Sequence, residues 1–157
     1  EQICYNGYMS TKTVTIMRGP SGSGKSTYTS KNLPNAFVCS ADLFFMKNGV
    51  YNFDAKKLGF AHEYCKDKFK KAIKDGVSEI VVDNTNTQVR EMSFYFDYAK
   101  KHGYEVNIVR LHAPVAVCAS RNTHGVPQDA VQRMNDRMAS IPVEWNVEEK
   151  HVITHGQ

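Results

Sequence analysis

An α/β fold, a three-layer sandwich around a mostly parallel sheet, is what this sequence predicts, and three observations predict it. Apolar runs of strand length are followed by amphipathic helical stretches four times along the chain. No internal repeat, low-complexity tract or Pro/Gly-rich linker interrupts the alternation. The 157 residues, 41% hydrophobic and 23% charged, suit one core with helices on both faces of its sheet.

Thr13–Arg18 (TVTIMR) reads as a buried strand, and residues 26–32 as the helix after it. Residues 36–40 (AFVCS) are a second short strand, ahead of a polar and aromatic stretch, 41–53, in which Asn48-Gly49 signals a turn. In residues 56–74, Leu58, Ala61, Cys65, Phe69 and Ile73 recur at the spacing of a helix with one buried stripe, stopped by Asp75-Gly76. Glu79–Asp83 (EIVVD) is the third strand, 91–102 the next helix and 104–111 the fourth strand. A short helix over Val115–Arg121 follows, and Pro127 opens an arginine-bearing helix to about Ser140. Residues 143–154 hold a last edge strand. Residues 1–10 read as a leader and 11–157 as the folded domain.

Composition narrows the function classes. No apolar run approaches the roughly 18 residues that cross a bilayer, so no membrane partner is expected. Cys4, Cys39, Cys65 and Cys118 are far apart and form no CxxC pair, which fits a reducing compartment, cytoplasmic or nuclear, rather than a disulfide framework or zinc site. The net charge of +4 favours an acidic ligand, a nucleotide or a nucleic acid strand.

In a parallel sheet of this kind ligands bind at the carboxyl ends of the strands, here the loops after Arg18, Ser40, Asp83 and Leu111. The first of these is Gly19-Pro20-Ser21-Gly22-Ser23-Gly24-Lys25-Ser26, a full GxxxxGK[ST] phosphate loop between strand and helix. Its glycines let backbone N–H groups face an anion, and the following helix adds its positive end. Gly19, Ser21, Gly22, Ser23, Gly24, Lys25, Ser26 and Thr27 are the candidate nucleotide contacts, with Lys25 on the β and γ phosphates and Ser26 on Mg²⁺. The fold class is therefore a P-loop NTPase-type sandwich, with a short helical lid over residues after Val115.

Asp42 lies just past the second strand. It suits a general base for an attacking hydroxyl, or a turn cap. Asp83 ends the third strand, where an acid beside a phosphate loop holds the metal's surroundings, and Asn84 and Asn86 follow in the same tight turn. Arg121, Arg133 and Arg137 fall in the lid region, where a cation can meet the charge of a migrating phosphoryl group; Arg133 and Arg137, four apart, equally suit a solvated helix face. The lysines of 56–74 could track a phosphate backbone or merely face water, and Phe44, Phe45, Tyr51 and Phe53 could stack on bases or pack their loop.

The runs GPSGSGKST, SADLFF, YNFD with AHEYC, VVDNTNTQVREM, RNTHGVP and RMNDRM, in unbroken order over about residues 13–138, resemble the phage-type polynucleotide 5′-hydroxyl kinase family. They are most similar to its eukaryotic branch of ubiquitin-ligase-binding proteins. The resemblance implies transfer of the γ-phosphate of ATP or GTP, with Mg²⁺, to the 5′-OH end of single-stranded RNA or DNA. It implies Asp42 as general base, Lys25 and Arg121 as catalytic cations, and Ser26 and Asp83 on the metal. Asp42, Phe45, Asn84, Asn86, Arg133 and Arg137 are then the residues expected on the acceptor, Phe45 standing where the phage enzymes carry an arginine. A small-molecule or nucleoside kinase would use the same loop, base and lid, and a non-catalytic ATP-binding module would need only the loop.

Overall fold

The computed structural model describes residues 11–122 and 124–154; the expected leader, 1–10, and Cys4 lie outside them. Five strands form one sheet: β1 (Thr13–Arg18), β2 (Phe37–Cys39), β5 (Glu79–Asp83), β6 (Glu105–His112) and β7 (Glu149–Ile153), in the order β2-β5-β1-β6-β7. Each neighbouring pair is parallel. Helices α1 (Lys25–Asn32), α2 (Leu58–Lys74), α3 (Val89–Lys101), α4 (Val115–Arg121) and α5 (Gln128–Asp136) make the crossovers and the lid region. No helix among the described residues is long and apolar enough to cross a membrane.

Alternation along the strands explains the three layers. Val14 and Ile16 of β1, Ile80 and Val82 of β5, and Val106 and Ile108 of β6 face α2 and α3, whose Ala61, Cys65, Phe69, Met92, Tyr95 and Phe96 complete the larger core. Met17, Val81, Val109 and Leu111 point the other way and meet Tyr28 and Leu33 at α1. Register puts Met17 beside Asp83 and Arg18 beside Arg110, so the loops after β1, β5 and β6 emerge on one edge.

Several boundaries depart from the sequence expectation, each for a local reason. The stretch 41–53 is structured: a 3₁₀ turn, Ala41–Phe45, leads into a hairpin of β3 (Met46–Lys47) and β4 (Val50–Tyr51). Asn48 and Gly49 both take positive φ, 52° and 78°, as the tight hairpin turn requires. Helix α3 starts two residues early because the Glu91 carboxylate accepts from Thr87 N at 3.0 Å and Thr87 Oγ1 at 3.1 Å, tying down its entry. Helix α5 ends at Asp136, not near Ser140, because the chain beyond is drawn elsewhere: Ala139 N donates to Thr87 O at 2.8 Å, and Ala139 O accepts from Arg18.

Arg18 is the hub of that closure. Its side chain is fully buried at the end of β1, and its four bonds reach three other segments of the chain. It donates to Asn86 O (2.8 Å), Thr87 O (3.1 Å), Ala139 O (2.9 Å) and the Glu149 carboxylate (2.7 Å). A buried guanidinium is tolerated only when its donors and charge are met, and here one carboxylate and three carbonyls meet them. The post-β5 loop, the segment after α5 and β7 are thereby fixed to the strand that carries the phosphate loop.

Candidate active site

The phosphate loop follows β1 directly and opens into α1. Gly22 has φ +83°, and a Cβ there would come within 2.0 Å of Cys118 O on α4, so only glycine lets loop and lid helix approach this closely. Lys25 is buried, its Nζ donating to Gly19 O at 2.9 Å and Pro20 O at 3.1 Å. Burial lowers the Lys25 pKa from its ordinary value; the negative charges of Asp83 and then Asp42 oppose the shift. An ammonium so poorly solvated gains from a polyphosphate beside it. Ser26 Oγ donates to Asp83 Oδ2 at 3.0 Å, which brings the predicted metal pair together across two elements.

Next to the loop, Gly24, Thr27, Tyr28, Leu111, Arg121 and Thr154 line a cavity of about 220 Å³. Arg121 donates from NH2 to Thr154 Oγ1 at 3.2 Å, and Thr154 donates in turn to Ser23 O at 3.1 Å. Among the described residues, Arg121 Nε and Ser23 Oγ are buried without a partner, an unmet hydrogen-bonding capacity on the cradle's own rim. A larger cavity, about 390 Å³ and lined by His112, Pro114, Asn135, His151 and Ile153, holds no residue of the phosphate loop. Proximity to the cradle makes the smaller one the candidate for the rest of a nucleotide.

Asp42 lies on the same edge, in the 3₁₀ turn capped by Ser40 Oγ, which accepts from Asp42 N at 3.2 Å. The cap is thus Ser40, and the Asp42 carboxylate is left free for other partners. That carboxylate is half-exposed and gripped on both oxygens: Tyr51 OH donates to Oδ1 at 3.4 Å, and His124 Nδ1 lies 3.3 Å from Oδ2. The Tyr51 and His124 rings stack, centroids 4.1 Å apart. Burial first, then the charge of Asp42 and the bond to it, push the Tyr51 phenol up to about 12, so it stays a donor throughout the physiological range.

Other expected site residues are placed differently. Phe45, 4% exposed, is packed on Phe44, Tyr51 and Phe53, and so lies in the core and not on a substrate path. Asn86, 1% exposed with φ 48°, spends its amide on Met17 O at 2.7 Å. Asn84 accepts from Ala41 N at 2.9 Å and reaches Cys65 Sγ at 3.6 Å, joining the post-β5 loop to the Asp42 turn. These two asparagines shape the site from behind. Arg133 is exposed and paired with Asp129 at 3.1 Å, while Arg137, past the last turn of α5, is exposed and no longer on that helix. Sequence reasoning gave no role to Tyr51 beyond stacking or packing and none to His124 beyond its motif; the only signal was RNTHGVP itself. Arg18 was read as a strand end, although an arginine closing an apolar strand is the kind of residue that needs a buried partner.

The sequence pattern of the AAA domain family matches residues 14–141. The chain belongs to that family. Among curated relatives, this AAA domain is 36% identical over 141 residues to human NEDD4-binding protein 2, a match covering 83% of the chain and 8% of that protein. The domain therefore spans less than a tenth of that relative's length. Among solved structures it resembles the Pnkp1/Rnl/Hen1 RNA repair complex with a TM-score of 0.64 at 17% identity, covering 87% of this chain and 47% of that one. It also resembles a gluconokinase from Sinorhizobium meliloti 1021, TM-score 0.59 at 16% identity, over 92% of this chain and 83% of that one. At such identities the likeness is one of fold, the α/β P-loop kinase fold.

Proposed function

We propose that this domain is a polynucleotide kinase, moving the γ-phosphate of ATP or GTP onto the 5′-hydroxyl end of single-stranded RNA or DNA. The observation that carries the reading is the Asp42 carboxylate, held by two partners on the same edge as the Lys25 cradle and near enough for its charge to act on Lys25. The incoming 5′-oxygen gives its proton to Asp42 as it bonds to the γ-phosphorus, while the bond from that phosphorus to the bridging oxygen breaks and the nucleoside diphosphate leaves. Lys25 offsets the charge on the transferring group, and Arg121 contacts the nucleotide from the cavity it lines. A hydroxyl and a carboxylate 3.0 Å apart, Ser26 and Asp83, form an oxygen pair suited to Mg²⁺, which would supply further charge neutralisation.

Support for a nucleic acid acceptor comes from the RNTHGVP and VVDNTN runs, from the net charge of +4, and from likeness to a protein of an RNA repair complex. Intact Lys25, Ser26 and Asp42 weigh against a non-catalytic ATP-binding module. The deciding experiment gives the domain Mg²⁺, labelled ATP or GTP, and matched 5′-OH RNA and DNA oligomers beside free nucleosides and sugars. Label at the 5′ end of an oligomer is expected. Faster labelling of a nucleoside or sugar would replace this reading with that of a small-molecule kinase.

A further inference from the structure

The segment after α4 is stapled by one side chain. Asn122 Nδ2 donates to Val126 O at 2.9 Å and Ala119 O at 3.1 Å, while its Oδ1 accepts from Val126 N at 2.9 Å. Asn122 is thus bonded to both backbone groups of Val126, and Gly125 takes φ +72°. His124, partly buried, lies flat against Tyr51 and beside Asp42. Before Asn122, Arg121 ends α4 and lines the nucleotide cavity. After Val126 the chain leads into α5.

We propose that His124 is a positioning residue of phosphoryl transfer: with Tyr51 it fixes the rotation of the Asp42 carboxylate, and it does so from a position three residues after Arg121, which lines the nucleotide cavity. The inference rests on the reading of Asp42 as the base. An aspartate that is half-exposed has two free torsions, and misplacing a reacting group by about 1 Å costs roughly 10²-fold in rate. The Tyr51 hydroxyl bonded to Oδ1 and the His124 nitrogen 3.3 Å from Oδ2 restrict that freedom, yet each oxygen keeps a lone pair with which to take the hydroxyl proton. The stack on Tyr51 holds the imidazole in plane, so His124 Nδ1 cannot turn away from Oδ2 without giving up the ring contact.

The test is steady-state transfer to a 5′-OH oligomer by the full 157-residue chain carrying His124→Ala, His124→Phe, His124→Gln or Tyr51→Phe, each confirmed folded by its urea midpoint. His124→Ala and His124→Phe should lower kcat about tenfold or more with KM for ATP unchanged, and His124→Gln, which keeps a donor, should recover part of the loss. In an Asp42→Asn background, His124→Ala should cost little more, because the group it positions is gone. Wild-type kcat in His124→Phe, or an equal loss in both backgrounds, overturns the proposal. Asp42→Ala in the same assay separates the two levels: a wild-type rate there sinks the base assignment itself, whereas a dead Asp42→Ala beside a normal His124→Ala sinks only the positioning role.

Discussion

On the nucleotide side of the sheet edge, the groups that would meet phosphate come from one unbroken run, Gly19 to Ser26, in which Lys25 is held against the loop's own carbonyls. On the acceptor side, Asp42, Tyr51 and His124 come from a 3₁₀ turn, a hairpin strand and the turn after α4, and they converge only in the folded chain. The contrast teaches where each half is vulnerable. A cradle made of consecutive residues needs only its strand and helix, whereas an acceptor site made of side chains from remote segments depends on everything that fixes those segments relative to one another.

The widest separation between the halves should appear in rate and affinity measured together. Asp42→Ala is expected to lower transfer by roughly 10²–10⁴-fold while nucleotide affinity, read by equilibrium titration, stays near wild type. Lys25→Ala should lower transfer by about 10²–10³-fold and weaken nucleotide binding as well. If Asp42→Ala weakens nucleotide binding as much as Lys25→Ala does, the two halves are not separable and the comparison breaks.

The next effect concerns what joins them. Arg18→Met leaves the Glu149 carboxylate partly buried without its guanidinium and frees three carbonyls, so urea unfolding should show a loss of about 3–5 kcal/mol. Glu149→Gln, which retains an acceptor, should cost less. A loss of only about 1 kcal/mol for Arg18→Met, the scale of an exposed pair, would mean that the edge is held without this hub.

The smallest effect lies beneath the acceptor side. Burial, helped by the neighbouring Cys65, pushes the Cys39 thiol from 9.0 to about 12 in the folded chain. The unfolded chain therefore loses that proton first, and the stability is whole below pH 9 and drains away as pH rises towards 12. Cys39→Val should flatten part of this alkaline decline, read as urea midpoints at neutral pH and at about pH 10. An unchanged decline would assign it to the other groups whose pKa burial raises, such as Cys65, Tyr95 and the partly buried Tyr51.

Much of the architecture was legible because hydrophobic period and punctuation are local signals. TVTIMR and EIVVD became strands at the expected residues, and VAVCASR the expected short helix, since each apolar run fits one element and stops at a turn-forming residue. The hairpin inside 41–53 was signalled only by Asn48-Gly49, as strands two residues long carry too little periodicity to read. In the site, Ser26 meets Asp83, Lys25 lies within reach of the charges of Asp83 and Asp42, and Arg121 lines the cavity beside Gly24. Phe45, Asn84 and Asn86 share those loops and yet face inward, because alternation along an irregular loop cannot be read from the sequence.

The sequence by itself determined the phosphate cradle, the strand and helix that flank it, and the acid at each neighbouring strand end, because those depend on residues adjacent in the chain and on backbone geometry that glycine permits. Tertiary structure alone decided that Arg18 would bind four segments together and that Tyr51 and His124 would hold Asp42. The physical reason is range: a hydrogen bond or a ring stack acts over a few ångströms, and which distant residues come that close is settled by the packing of the whole sheet and its helices.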